Sequence, residues 1–158
     1  MKISFDLDDT LICYQHSAKY EKNRIPLFLR VWIKEPLRSG SVFLMKRLIQ
    51  LDHEVCIYTS SYRRPFLVKL WLYFYGIRVS DVINQEIHDL HSRTKNKYGQ
   101  SSKNPNLFGI DLHIDDSPGV EMEGHKYGFR VLRIDPDDNE WIDKIFEVVN
   151  TIDKDRAV

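Results

Sequence analysis

The chain has 158 residues, enough for one domain that buries roughly two thirds of the surface its unfolded form exposes. Its 23 basic and 23 acidic side chains leave no net charge to draw it onto nucleic acid or an anionic membrane. Hydrophobic residues at 42% and aromatics at 12% are ample for a packed core and exclude disorder as the default state. The start, MKISFDLDD, leaves no room for the apolar core of a secretory signal. The most apolar stretch, Phe66 to Tyr75, contains Lys69 and falls short of the ~20 residues that span a bilayer. Cys13 and Cys56 form no CxxC and no zinc spacing, so neither a disulfide framework nor a structural zinc is indicated, and a reducing cytoplasm is the expected compartment.

In chain order, Lys2 to Leu7 reads as a first strand. Residues 13–39, including IPLFLRVWI, read either as a small flap or as packed helix. Ser41 to Leu51 places Val42, Met45, Leu48 and Ile49 on one helical face, with Gly40 and Ser41 supplying a break and an N-cap. Glu54 to Thr59 is the second strand, followed by Ser60 and Ser61 as candidate caps for a helix that holds Pro65 in its first turn and ends at Gly76. The aromatic run Trp71 to Tyr75 reads as core, with an oligomer contact as the alternative. Val79 to Ile83 is a weak third strand. His88 and His91 lack a third ligand and are expected at the solvent, and the polar stretch Ser92 to Asn106 reads as a long loop.

Ile110 to Asp115 and Phe129 to Ile134 are the fourth and fifth strands, with His113 as a core or rim histidine. A last helix, from about Asn139, spaces Trp141, Ile142, Ile145, Phe146 and Val149 helically, behind Asp137, Asp138 and Asn139 as capping material. Short apolar runs alternating with helical patterns predict an α/β fold: a Rossmann-like three-layer sandwich with a mainly parallel five-stranded sheet, over 1–158 as a single domain.

Chemistry concentrates where predicted strands end. FDLDDTL puts Asp6 and Asp8 at the carboxyl end of the first strand, where open α/β sheets hold their ligands, although Asp8, Asp9 and Thr10 would also serve as a plain turn. A calcium loop of the EF-hand kind is disfavoured, because Thr10 and Leu11 occupy its fifth and sixth positions. VCIYTSS presents the Thr59 hydroxyl at the second exit, or as a helix cap, and LHIDDSPG delivers Asp115 and Asp116 at the fourth. In a parallel sheet these acids converge on one rim. Carboxylates about 4 Å apart repel by ~4 kcal/mol at an effective dielectric of ~20, so a hard divalent ion is expected, and oxygen-only ligands favour magnesium (Mg2+) over zinc.

In order and type these residues resemble the haloacid dehalogenase superfamily of phosphohydrolases, in its small capless or minimal-cap form, along the whole chain. The first motif of that family, D-x-D-x-T, matches Asp6, Asp8 and Thr10, the second, a strand ending in Ser or Thr, matches Thr59, and the fourth matches Asp115 and Asp116. The third, a Lys upstream of the acidic pair, matches Lys103, which an Asn-Pro turn follows, with Lys95 and Lys97 as alternatives. The gaps between motifs are too short for a substantial cap domain, which implies an open site.

The resemblance implies that Asp6 attacks phosphorus and becomes an aspartyl phosphate, while Asp8 protonates the leaving group and then activates water. It further implies that Thr59 donates to a phosphoryl oxygen and that Lys103 neutralises nucleophile and phosphate. Asp6, Asp115, Asp116 and the backbone carbonyl of Asp8 would hold Mg2+. Thr10 would orient the loop, with Ser60, Arg63 and Arg64 on the substrate side. Arg63 and Arg64 lie near a predicted helix N-terminus, where a cation opposes the macrodipole, so they either meet an anionic substrate or face solvent. The implied partner is a phosphorylated substrate, either a small molecule or a phosphoprotein; the short likeness of DLDDT and IDDSPG to capless protein phosphatases keeps the second open. Two other classes remain: a phosphoacceptor domain, disfavoured because DxD precedes the acidic pair, and a catalytically silent binding module of the same fold.

Overall fold

The computed structural model describes residues 1–14, 19–31, 34–94 and 101–157. Five strands form one sheet in the order β3-β2-β1-β4-β5: β1 (Lys2–Phe5), β2 (Glu54–Tyr58), β3 (Val82–Ile83), β4 (Leu112–Asp115) and β5 (Val131–Arg133). Every pairing is parallel. The helices are α1 (Ser41–Gln50), α2 (Pro65–Phe74), α3 (Gln85–Thr94), α4 (Pro118–Tyr127) and α5 (Trp141–Ala157). None of them is long and apolar enough to cross a membrane. The chain winds from β1 outward to β3, then returns to the far side of β1 for β4 and β5. The carboxyl ends of β1 and β4 therefore flank the point where the strand order reverses, which is where such sheets leave a crevice for a ligand.

Strand alternation assigns the two sheet faces different chemistry. Ile3, Phe5, Val55, Ile57, Leu112 and Ile114 join the large apolar core with Leu44 and Leu48 of α1, Val68 and Trp71 of α2, and Ile145 and Val149 of α5. The intervening residues include Ser4, Cys56, Tyr58 and His113, all fully buried. Cys56 and Tyr58 belong with Ile83 and Ile110 to a second, smaller core. Buried polar side chains on that face must find partners from one another, and those pairings build the site described below.

Several expected caps prove different. Gly40, not Ser41, is the N-cap of α1, at φ +89°, and a Cβ there would lie 2.3 Å from Ile142 Cδ1 of α5. The carboxylate of Glu21 accepts the amides of Gly40 (2.9 Å) and Val42 (3.2 Å), so the helix is capped from a distant segment. Ser60 and Ser61 do not cap α2, whose N-cap is Arg64 with Pro65 as the first helical residue. The Thr59 and Ser61 hydroxyls instead accept the amides two residues on.

The third and fifth strands are shorter than their apolar runs. α4 occupies a stretch that carries little apolar periodicity, and α3, which sets Ile87 against the second core, reaches Thr94, inside the segment that reads as loop. His88, expected at the solvent, is buried. Across IPLFLRVWI the described residues hold one 3-10 turn, Leu27–Leu29, rather than a packed helix, and Leu27, Phe28 and Val31 are exposed. Arg38 anchors the end of this segment. Its guanidinium donates to the carbonyls of Thr10, Asp135 and Asp138 and lies 4.4 Å from the Trp141 ring centroid.

Candidate active site

Asp6 follows the last residue of β1, and its amide donates to the Ile114 carbonyl at 2.9 Å, which carries the pairing with β4 one step beyond the strand. The register Phe5↔Ile114 then sets Asp6 beside Asp115, and Phe5↔Ile57 brings Thr59 to the same edge. Asp6, Asp115 and Asp116 each offer a carboxylate oxygen within 4.8 Å of the others.

Lys103 arrives from the loop after α3, and its ammonium sits between Asp6 Oδ1 (2.6 Å) and Asp115 Oδ2 (2.5 Å), with all three side chains more than nine-tenths buried. Lys95 and Lys97 lie outside the described residues. Backbone and hydroxyl contacts hold the Lys103 loop. Glu123 of α4 accepts the amides of Ser102 and Lys103 and the Ser102 hydroxyl, and the Tyr58 hydroxyl accepts the Asn104 amide at 2.7 Å. Tyr58 in turn meets His88 Nδ1 at 2.5 Å, which explains the burial of that histidine.

Asp115 is further held by His113. The imidazole is fully buried, and burial pushes its pKa below the usual value despite the neighbouring carboxylate, so it stays neutral near pH 7. An ionised Asp115 only accepts. The histidine therefore donates from Nε2 to Asp115 Oδ2 (2.8 Å) and receives at Nδ1 the hydroxyl proton of Ser4 (2.8 Å). Ser117 donates its amide to Asp115 Oδ1 at 2.8 Å. Burial alone would raise Asp115, but the His113 and Lys103 contacts outweigh it and hold this carboxyl below the usual range. Asp6 is held above that range, chiefly by burial, with Lys103 opposing and Asp115 adding to it. Asp116 is raised by burial and by Asp115, and it accepts the Thr10 hydroxyl at 3.5 Å.

Asp8 points to different partners. Both its oxygens are taken by the Arg63 guanidinium, at 2.6 and 2.8 Å, and Tyr14 donates to Oδ1 at 2.7 Å. Burial would raise this carboxyl, but the Arg63 and Tyr14 hydrogen bonds overcome it and lower it, while the Tyr14 hydroxyl is pushed up to about 12 by burial and by Asp8. Arg63 is thus partly buried against Asp8 and does not extend freely into solvent. Arg64 and Ser60 are exposed. Thr59 is buried, and because its oxygen accepts the Ser61 amide, its own proton remains available to donate.

Three carboxylates beside one ammonium, each offering a hard oxygen donor, form a cluster that could hold a metal ion. Among known proteins, no family model and no curated protein matches the chain. Solved structures do match, among them one described as a predicted HAD-like family hydrolase from Porphyromonas gingivalis: 16% identical, TM-score 0.54, covering 94% of this chain and 97% of that one. The fold is that of the HAD-like hydrolases. At that identity the likeness speaks to the HAD-like fold alone, and the chemistry rests on the side chains assembled at its sheet edge.

Proposed function

We propose that the chain is a magnesium-dependent phosphatase that works through an aspartyl phosphate on Asp6. The observation that carries this reading is the Asp6–Lys103–Asp115 cluster at the strand-order reversal, with Asp116 beside it. In the first step an oxygen of Asp6 forms a bond to phosphorus as the ester P–O bond breaks, and Asp8, released from Arg63 and protonated from solvent, gives that proton to the departing oxygen. In the second, Asp8 takes a proton from water, whose oxygen displaces Asp6 and releases inorganic phosphate. Lys103 keeps Asp6 oriented and offsets charge on the phosphoryl oxygens, and the free Thr59 proton is a donor to one of them. A magnesium ion held by Asp6, Asp115, Asp116 and the Asp8 carbonyl would neutralise the remaining charge of acids and phosphate.

The substrate is a phosphate ester received in an open crevice. Both cysteines are buried and unpaired, in keeping with a reducing, cytoplasmic setting. The test is phosphate release from a panel of aryl, sugar, nucleotide and peptide phosphates, with magnesium and with a chelator. Turnover that needs the metal and is lost in Asp6→Asn is the expected result. Silence on every ester would favour a binding module of the same fold, and a stable phosphoprotein without turnover would favour a phosphoacceptor.

A further inference from the structure

We infer that Arg63 determines substrate choice: its guanidinium exchanges Asp8 for a second anionic group on the leaving side of a small phosphate monoester. This rests on the phosphatase reading and deepens it. For Asp8 to reach the departing oxygen, at least one carboxylate oxygen must leave Arg63, which holds both. Arg63 would then be left with the Tyr14 hydroxyl at 3.0 Å and Glu35 at 3.5 Å. A planar guanidinium fork matches a carboxylate or a phosphate, so the vacated position selects a ligand anion of that shape. The exchange is feasible because the pair is not deeply buried: the side chains are 29% and 37% exposed, a setting in which water competes with an ion pair.

The surroundings of Arg63 extend the same description. It borders a cavity of about 120 Å³ whose apolar wall includes Leu7, Ile12, Val68 and Trp71 and whose charged residues are Arg63, Arg64 and Glu35. Arg64 is exposed and makes no ion pair among the described residues. Two guanidiniums against one carboxylate leave the cavity net positive. A compact apolar scaffold carrying an anion fits both wall and charge, and the phosphoryl group then lies on the Asp8 side.

The test compares phenyl phosphate with meta-carboxyphenyl phosphate, in the presence of magnesium, for the wild-type chain, Arg63→Gln and Arg63→Lys. The wild type should favour the carboxylated ester about tenfold or more in kcat/KM, expressed mainly in KM, because a charge-assisted fork is gained. Arg63→Gln should bring the ratio to within about twofold, and Arg63→Lys, which keeps the charge but not the fork, should fall between. Both esters are measured on the same preparation of each variant, so the ratio does not depend on how much of it is folded. Equal efficiency for the two esters in the wild type, or an unchanged ratio in Arg63→Gln, overturns the inference alone. If the wild type hydrolyses neither ester, the phosphatase reading falls and takes the inference with it.

Discussion

Lys103→Met removes the cation that sits between the buried carboxylates of Asp6 and Asp115 while roughly keeping side-chain volume. Taking one partner from a buried ionic cluster costs about 3 to 5 kcal/mol, because the charges left behind have lost both water and counter-charge. For a chain of this length each kcal/mol moves Tm by about 2 to 4 °C, so the metal-free variant should melt roughly 6 to 20 °C below the wild type. Protonation of Asp6 limits the loss. Its carboxyl is already held high by burial, and without Lys103 it rises further, so the gap should narrow as pH falls and the proton replaces the missing charge. Magnesium should act in the same direction: an ion at about 100 times its Kd adds ~2.7 kcal/mol, and it should bind the variant more tightly than a site that already contains an ammonium. The assay is thermal unfolding in chelator and in magnesium across a pH series, with phosphate release alongside, where loss of one preorganised donor predicts a fall of about 10²- to 10³-fold in kcat. A metal-free Tm within about 2 °C of wild type would refute the placement of Lys103 between the two acids.

His113→Phe keeps a planar ring but strands Ser4 Oγ and leaves Asp115 Oδ2 with Lys103 alone, so it should cost about 1 to 3 kcal/mol and weaken magnesium binding about 10- to 100-fold, read from the metal dependence of Tm. Gly40→Ala puts a Cβ on a left-handed backbone, 2.3 Å from the end of the Ile142 side chain, which must turn aside, and should lose about 1 to 2 kcal/mol in a denaturant titration. Asp111 lies away from the acid cluster. Burial would raise its carboxyl, but the Lys2 amide at 2.6 Å and the Arg156 guanidinium lower it. A depressed folded pKa adds stability above the unfolded value, near 3.9, and loses it as pH falls through the folded one. Asp111→Asn should therefore cost about 1 kcal/mol at neutral pH and nothing in strong acid, a difference that melting curves at the two pH values will detect.

The strands were legible because a central strand of a parallel sheet is buried on both sides and must be written in short apolar runs, as ISF, VCIY and LHI are. The helices α3 and α4 were not. α4 buries only Val120 and Gly124, and a Cβ on that glycine would meet the Phe129 carbonyl and Val131 Cγ2 at 2.9 Å, so close packing there demands a residue with no hydrophobic signal at all. α3 packs through His88, whose burial makes sense only once Tyr58, thirty positions earlier, supplies the partner. Helical periodicity detects apolar faces, and α4 docks instead by backbone proximity, while α3 adds to the packing of Ile87 a buried hydrogen bond that periodicity does not reveal.

The same distinction decides how much of the site could be read. Asp6, Asp115 and Asp116 follow from strand ends plus parallel register, which are local properties. The Asp8–Arg63 and Ser4–His113 pairings span 55 and 109 positions and carry no spacing that a single sequence reveals, although Ser4 and His113 are polar residues inside apolar strands and prove to be register partners. One consequence concerns the two aspartates of the first motif. They are two residues apart, yet Asp6 is nine-tenths buried against an ammonium that also holds Asp115, while Asp8 is half-exposed against a guanidinium that also meets Tyr14 and Glu35. Such unlike surroundings suit the division of roles in the proposed mechanism: the first aspartate is held in place, as a nucleophile would be, and the second is tethered by partly exposed contacts that can exchange, as a group moving a proton twice in each turnover would require.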